Sequence, residues 1–311
     1  MADQIETLAK AFSGFGVDEK SIISILGKWH PEEKKSFRKG CPNLFHEDTR
    51  DFEKWDQNYI ATLEHEFARF KQAIVLWTMH AWERDARLVR DALSKGAQSY
   101  DVLVEIACTR TSEELLGARR AYHSLFDHSI EEDVAYHINN SNRKLLVALV
   151  SAYRYEGAKV NDAIAKSEAK ILADAIKNVE RNPIEDDEVV MILSTRSKTH
   201  LKAVFAHYKE LYGNDIHEDL HDASSLKEAV LCLTSPQIHF AKVLDMALAI
   251  GASEITKQGL TRVVVTRADT DMKEIKEQYN DLYGVQLLSK IEELTSGNFK
   301  DLLLALIQRS E

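Results

Sequence analysis

Apolar positions recur along this chain at helical spacing, and the helical pattern itself recurs on a longer ruler. Counting from Arg110, aromatics fall at +12 (Tyr122) and +16 (Phe126), and apolar residues at +20 (Ile130) and +24 (Val134). From Arg196 the same ruler lands on Tyr208, Tyr212, Ile216 and Leu220, and from Arg267 on Tyr279, Tyr283, Leu287 and Ile291. Three hits at four offsets define an internal repeat. A fourth copy stands at the front, where Ile22 to Trp29 matches Leu103 to Arg110 in apolar spacing and Phe45 lies at +16 from Trp29. Its second half slips out of register. The anchors at 29, 110, 196 and 267 leave room for about four or five helices per copy, more than a helix-hairpin repeat holds.

The pattern predicts an all-α chain of four repeats, at residues 1–78, 79–156, 157–240 and 241–311, stacked as one compact body. Composition supports this, since 44% hydrophobic residues with 12 Gly and 4 Pro in 311 residues favour helix over sheet and suffice for a large core. Small polar residues between Val160 and Lys170 predict a linker between the halves. The amino end carries Asp3 and Glu6 without an apolar run, which argues against a signal peptide. Apolar runs such as Ala73 to Trp82 are about half of what a bilayer span needs. Three widely spaced cysteines, Cys41, Cys108 and Cys232, suit a reducing compartment. A net charge of -10 argues against nucleic acid, and an anionic surface would repel the chain unless a cation or a basic patch mediates contact.

The candidate chemistry starts at Gly14-Phe15-Gly16-Val17-Asp18-Glu19. Two glycines between helical patterns mark a tight turn, because glycine reaches positive φ cheaply and lets carbonyls converge. Asp18 caps the helix that follows. The turn is either a helix-loop-helix corner or a cation site made of backbone carbonyls.

That loop, the repeated Cys108-Thr109-Arg110, Ser194-Thr195-Arg196 and Val265-Thr266-Arg267, the stretch Ser151 to Gly157, Glu83-Arg84-Asp85-Ala86 and Leu260 to Val264 together resemble a plant annexin over nearly the whole chain. The resemblance implies four five-helix repeats in a curved disc, cytoplasmic and peripherally associated with acidic phospholipid membranes through calcium. Actin and further copies of the chain are partner classes it leaves open, and it implies no enzyme activity.

Calcium wants about six to eight oxygens, so a turn offering three carbonyls must be joined by a carboxylate. By resemblance the carbonyls of Phe12, Gly14 and Gly16 are the metal ligands in repeat one. The family's carboxylate stands two residues before a later apolar run, and here that position is Lys71, ahead of Ala73-Ile74-Val75. Arg143, Lys227 and Lys300 occupy it in the other repeats. The glycine turns there read Lys95-Gly96-Ala97-Gln98, Arg181-Asn182-Pro183-Ile184 and Ile250-Gly251-Ala252-Ser253. Glu66, Glu228 or Asp301 are the neighbours able to rescue a site. The pattern is either drift, with calcium sites weak or degenerate, or replacement of calcium by side-chain cations that meet lipid phosphate directly. Phe15, between two glycines, is expected to be exposed and to sit with Lys71 at the bilayer interface; the alternative is packing against a neighbouring loop.

Other motifs weigh less. His217-Glu218-Asp219-Leu220-His221 matches a zinc-protease pattern, but the ruler aligns it with the polar side of a repeat helix. Asp281-Leu282-Tyr283-Gly284 lacks a phosphate-cradling glycine loop. Cys108 and Cys232 fall within apolar runs, where burial explains them as well as redox chemistry does. His30 stands beside Trp29 and Pro31, near a position tied to peroxidase-like proposals in relatives, but Lys28 takes that place.

Overall fold

The computed structural model describes residues 2–12, 14–47, 53–178, 182–220 and 224–309. Nineteen α-helices dominate these residues, as the apolar periodicity predicts, with one two-stranded ribbon. The chain divides into two compact units, Met79–Phe240 and Met1–Thr78 with Ala241–Glu311.

In Met79–Phe240 several helices carry a local reason to start where they do. Ser112–Phe126 and Ile130–His137 open on capping boxes, Thr111 with Glu114 and Ser129 with Glu132. Asp186 accepts from the Glu188 and Val189 amides to cap Asp187–Thr195, so the acidic run there is a helix start. The ruler has a physical basis. Tyr122 and Tyr208 are fully buried, and their rings pack on Phe126 and Tyr212 one turn on, at 4.8 and 5.1 Å. Their hydroxyls donate to Asp133 at 2.5 Å and Asp219 at 2.8 Å. A buried tyrosine needs a partner for its hydroxyl, and these aspartates supply it. Burial, reinforced by Asp133, pushes the Tyr122 hydroxyl up to about 12. The anchor arginines are buried or half-buried ion-pair partners: Arg110 grips Asp85 with both forks at 2.7 and 2.9 Å, and Arg196 grips Glu168.

The expected linker is not one. Asp162–Lys177 is a helix, capped by Asn161, that packs on Lys198–Tyr212 with Ala165, Ala169 and Glu168 buried. Small residues mark close approach here. Glu168 tolerates burial because Arg196 and His200 hold its two oxygens at 2.7 and 2.9 Å. The irregular stretch falls just before it, at 151–161, and Arg154 ties it down by donating to the carbonyls of Leu193 and Arg196.

In the other unit, Ala2–Phe12 and Glu19–Leu26 are joined by the glycine turn, and the Asp18 side chain accepts from Ser21 as the cap expected of it. Their core gathers Leu8, Ile25, Trp29, Phe37 and Phe45. Phe45–Glu47 pairs antiparallel with Glu53–Trp55, with Phe45 opposite Trp55 and their rings 4.2 Å apart. This ribbon is why the first copy slips out of register. Gln57–Thr78 follows and packs on Glu254–Arg267 and Gly297–Gln308. Tyr279 repeats the buried device, with Tyr283 at 4.8 Å and its hydroxyl on Asp245 at 3.1 Å.

Candidate functional site

The repeat-one turn rests on a second loop of its own unit. Phe15 forms a parallel bridge with Thr295, and its carbonyl accepts from the Ser296 amide at 3.0 Å. Gly14 (φ 113°) is exposed, and a Cβ there would stand 4.0 Å from Ser296 Oγ. Gly16 (φ 96°) is buried, and a Cβ there would stand 2.6 Å from the Ser296 carbonyl oxygen. Glycine is therefore required at 16 by close approach as well as by conformation.

Phe15 corrects the expectation of an exposed tip. It is 7% exposed, its ring 5.7 Å from Phe299, with the Arg69 guanidinium 4.6 Å above its centroid and the Lys257 ammonium at 5.5 Å. The turn folds its aromatic inward because the 295–297 loop, the Arg69 stem and Phe299 offer apolar and cation–π cover, and water offers neither. Phe15 is a packing residue, and the alternative reading of it holds.

Under the ring lies an ion cluster. Glu66, on Gln57–Thr78, accepts the Gly16 amide at 2.7 Å, Arg69 Nε at 2.6 Å and Arg69 Nη2 at 2.8 Å, with Lys257 Nζ 3.6 Å away. Arg69 continues to Glu254 at 2.5 Å, and Lys257 closes the ring on Glu254 at 3.2 Å. Burial opposes the charge on Arg69, but Glu66 and Glu254 outweigh it and hold its pKa above the ordinary value. Burial likewise opposes the charge on Glu254, and Arg69 and Lys257 hold its carboxyl below the usual range. Sequence reading raised Glu66 as a rescuing carboxylate but missed Arg69, Glu254 and Lys257, which sit 185 or more residues apart in part and leave no local signal.

These residues do not assemble a complete calcium site. Glu66 reaches the turn, yet both its oxygens face donors. The Phe12 carbonyl accepts the Tyr59 hydroxyl at 3.3 Å, while Gly14 is open. Glu228 faces His239, and Asp301 approaches Lys20 at 4.0 Å, so neither completes a turn. Lys71, Arg143 and Lys227 are exposed, and Lys300 is half-buried near Asp18. At the turn of repeat three, Lys144 of repeat two donates to the Glu185 carbonyl at 2.7 Å and pairs with Asp187 at 2.5 Å, placing an ammonium on that turn; Arg181 lies outside the described residues. In repeat four Gly251 (φ 80°) stands in open space beside Ile250, which is 97% exposed.

The lesser motifs resolve as structure. Ile216–Asp219 is too short to carry a zinc-protease pair, Asp219 serves Tyr208, and His221 lies outside the described residues. Gly284 ends the Met272–Tyr283 helix in the left-handed region. His30 caps Pro31–Gly40 with Glu33. Cys108 is fully buried, and burial with Cys232 nearby pushes its thiol up to about 12.

The geometry has close company among known proteins. The annexin family model matches residues 84–149, 167–233 and 240–306. Annexin D4 of Arabidopsis thaliana is 51% identical over 314 residues, covering 99% of this chain and 98% of that protein. The annexin-like protein RJ4 of Fragaria ananassa is 40% identical over 317 residues, covering 99% and 96%. Among solved structures, annexin III superposes with a TM-score of 0.70 at 26% identity, covering 98% of this chain and 93% of that one. The matched stretches start at the second copy, where the arginine ruler starts. Repeated buried tyrosines, arginine anchors and full-length kinship lead to one conclusion: this chain belongs to the annexin family, among its plant members.

Proposed function

We propose that this chain binds anionic phospholipid surfaces peripherally and reversibly, with its calcium dependence weakened because cations stand where carboxylate ligands would. Annexins generally bind such membranes with calcium, and no described helix is long and apolar enough to cross one. The observation that carries the reading is Glu66. The carboxylate that reaches the repeat-one turn is held by the Gly16 amide and Arg69, so calcium would have to break a buried ion pair to recruit it. Exposed Lys71, Arg143 and Lys227 supply positive charge at the aligned positions. Each basic residue near an anionic surface is worth about 1 kcal/mol, and charge of that kind acts locally within about a Debye length despite a net charge of -10. Calcium, where it binds, does so weakly at the repeat-one turn, on the carbonyls of Phe12, Gly14 and Gly16. The four repeats are residues 1–78, 79–156, 157–240 and 241–311, and the setting is the cytoplasmic membrane surface.

Co-sedimentation with phosphatidylserine-containing and phosphatidylcholine-only vesicles, each with chelator, tests this. Binding to the anionic vesicles alone is the expected result. Absence of binding to either, with or without calcium, would favour a helical interaction scaffold without lipid affinity.

A further inference from the structure

A second constellation uses none of the groups of the repeat-one turn and does not depend on the lipid reading. The helix Ser224–Thr234 carries Glu228 and Cys232 one turn apart, hence on one face. It breaks at Ser235, and the next helix, Pro236–Leu248, folds His239 back over that face. His239 is 2% exposed and Cys232 1%. The carboxylate oxygen of Glu228, the sulfur of Cys232 and a ring nitrogen of His239 all lie within 4.8 Å of one another. Four donors around a zinc ion at about 2.0–2.3 Å stand roughly 3.3–3.8 Å apart, so small rotations of three side chains bring these to bonding distance. The outer shell is present as well. Glu105, fully buried on Tyr100–Thr109, faces His239 Nε2 at 3.2 Å, while Nδ1 faces Glu228. A carboxylate behind a histidine fixes which nitrogen points at a metal.

We propose that Glu228, Cys232 and His239 form a binding site for a borderline-soft divalent transition-metal ion, zinc foremost, with Glu105 as the positioning residue behind His239. Thiolate and imidazole select such an ion over calcium and magnesium, which prefer oxygen. Three protein ligands leave a fourth position for water, as in open zinc sites. The half-buried Glu228 is the approach path, its side chain 27% exposed where the others are sealed. On binding, the Cys232 thiol proton and the His239 ring proton that faces Glu228 leave to solvent, the sulfur bonds the metal as thiolate and the imidazole as a neutral ligand; no redox change is involved. Without metal the same groups form a buried histidine between two carboxylates, a stable but competing arrangement.

The full-length wild-type chain, stripped with chelator and titrated anaerobically with Co2+, is expected to bind one equivalent with a thiolate-to-cobalt charge-transfer band and the visible absorption of a tetrahedral ion. Zn2+ should bleach both and excess Ca2+ should leave them. Cys232→Ser should abolish the charge-transfer band, whereas Cys41→Ser and Cys108→Ser keep it. Glu105→Gln should weaken Co2+ binding about 10–100-fold with the band retained. A wild type without the band, or a band that survives Cys232→Ser or disappears in Cys41→Ser or Cys108→Ser, overturns the site. Should Cys232→Ser fail to fold, X-ray absorption fine structure of zinc-loaded wild type decides: a shell with one sulfur supports it and a shell of nitrogen and oxygen alone overturns it.

Discussion

The Gly16 amide donates to the Glu66 carboxylate at 2.7 Å across 50 residues of chain, and the rest of the repeat-one turn is arranged around that bond. It explains why a turn with the glycine pattern of a cation site is held as a packed corner.

The two glycines of the turn should respond differently to alanine. At Gly16 the new Cβ meets backbone 2.6 Å away in a left-handed conformation, whereas at Gly14 the nearest atom is Ser296 Oγ at 4.0 Å. Gly14→Ala is expected to cost about 1 kcal/mol, the conformational strain alone, and Gly16→Ala about 3 kcal/mol or more. Urea unfolding midpoints of the two variants check the order.

Arg69 holds Glu66 and Glu254 together, and its side chain is 5% exposed. Arg69→Met leaves the buried Glu66 only the Gly16 amide and Lys257 Nζ at 3.6 Å, so a loss of about 3 kcal/mol is expected, partly restored in Glu66→Gln/Arg69→Met. The Glu254 carboxyl is held below its ordinary pKa. Its contribution is therefore present above the unfolded value, about 4.3, and is lost as pH falls through the folded one. Acid unfolding of Glu254→Gln should show a shallower pH dependence below about pH 4.3 than wild type.

Phe15, expected at the bilayer interface, is buried, whereas Ile250 is exposed. Phe15→Ala should destabilise by about 3–5 kcal/mol, as for a buried aromatic, with vesicle binding unchanged below its melting temperature. Ile250, 97% exposed on the repeat-four turn, is an apolar residue available to a bilayer interface. Ile250→Asp should weaken binding to anionic vesicles and leave the thermal midpoint within about a degree. Thermal scans and co-sedimentation of both variants separate the two roles.

Cys108 is fully buried with its thiol pushed up to about 12. A disulfide reagent at pH 8 should leave it unmodified in the folded chain and label it at once in denaturant, since the thiolate is the reactive form. Mass spectrometry of the labelled peptides reads this directly.

The helical framework was legible because it is local. Tyr122, Tyr208 and Tyr279 recur at +12 from their arginines, the partners at +16 stack on them one turn later, and neither needs knowledge of distant chain. Asp18 announced its helix by capping chemistry. What escaped is non-local. The 162–177 helix read as linker because alanine is small and Glu168 charged, and only Arg196 and His200, about thirty residues on, show why it is buried. The ribbon from Phe45 to Trp55 interrupts a helical ruler with a pattern too short for periodicity to register. Phe15 looked exposed because its cover, Phe299 and the 295–297 loop, comes from the far end of the chain. The basic residues Lys71, Arg143, Lys227 and Lys300 can be read off the chain, but the partners of Glu66 cannot.

The central claim is that cations stand where the calcium carboxylates would, Lys71 first among them. Co-sedimentation with phosphatidylserine vesicles, in chelator and across a calcium titration, compares wild type with Lys71→Glu. The account predicts that wild type binds in chelator with little calcium response, and that Lys71→Glu binds less in chelator but gains a calcium-dependent rise. Wild-type binding that vanishes in chelator and is fully restored by calcium would contradict it.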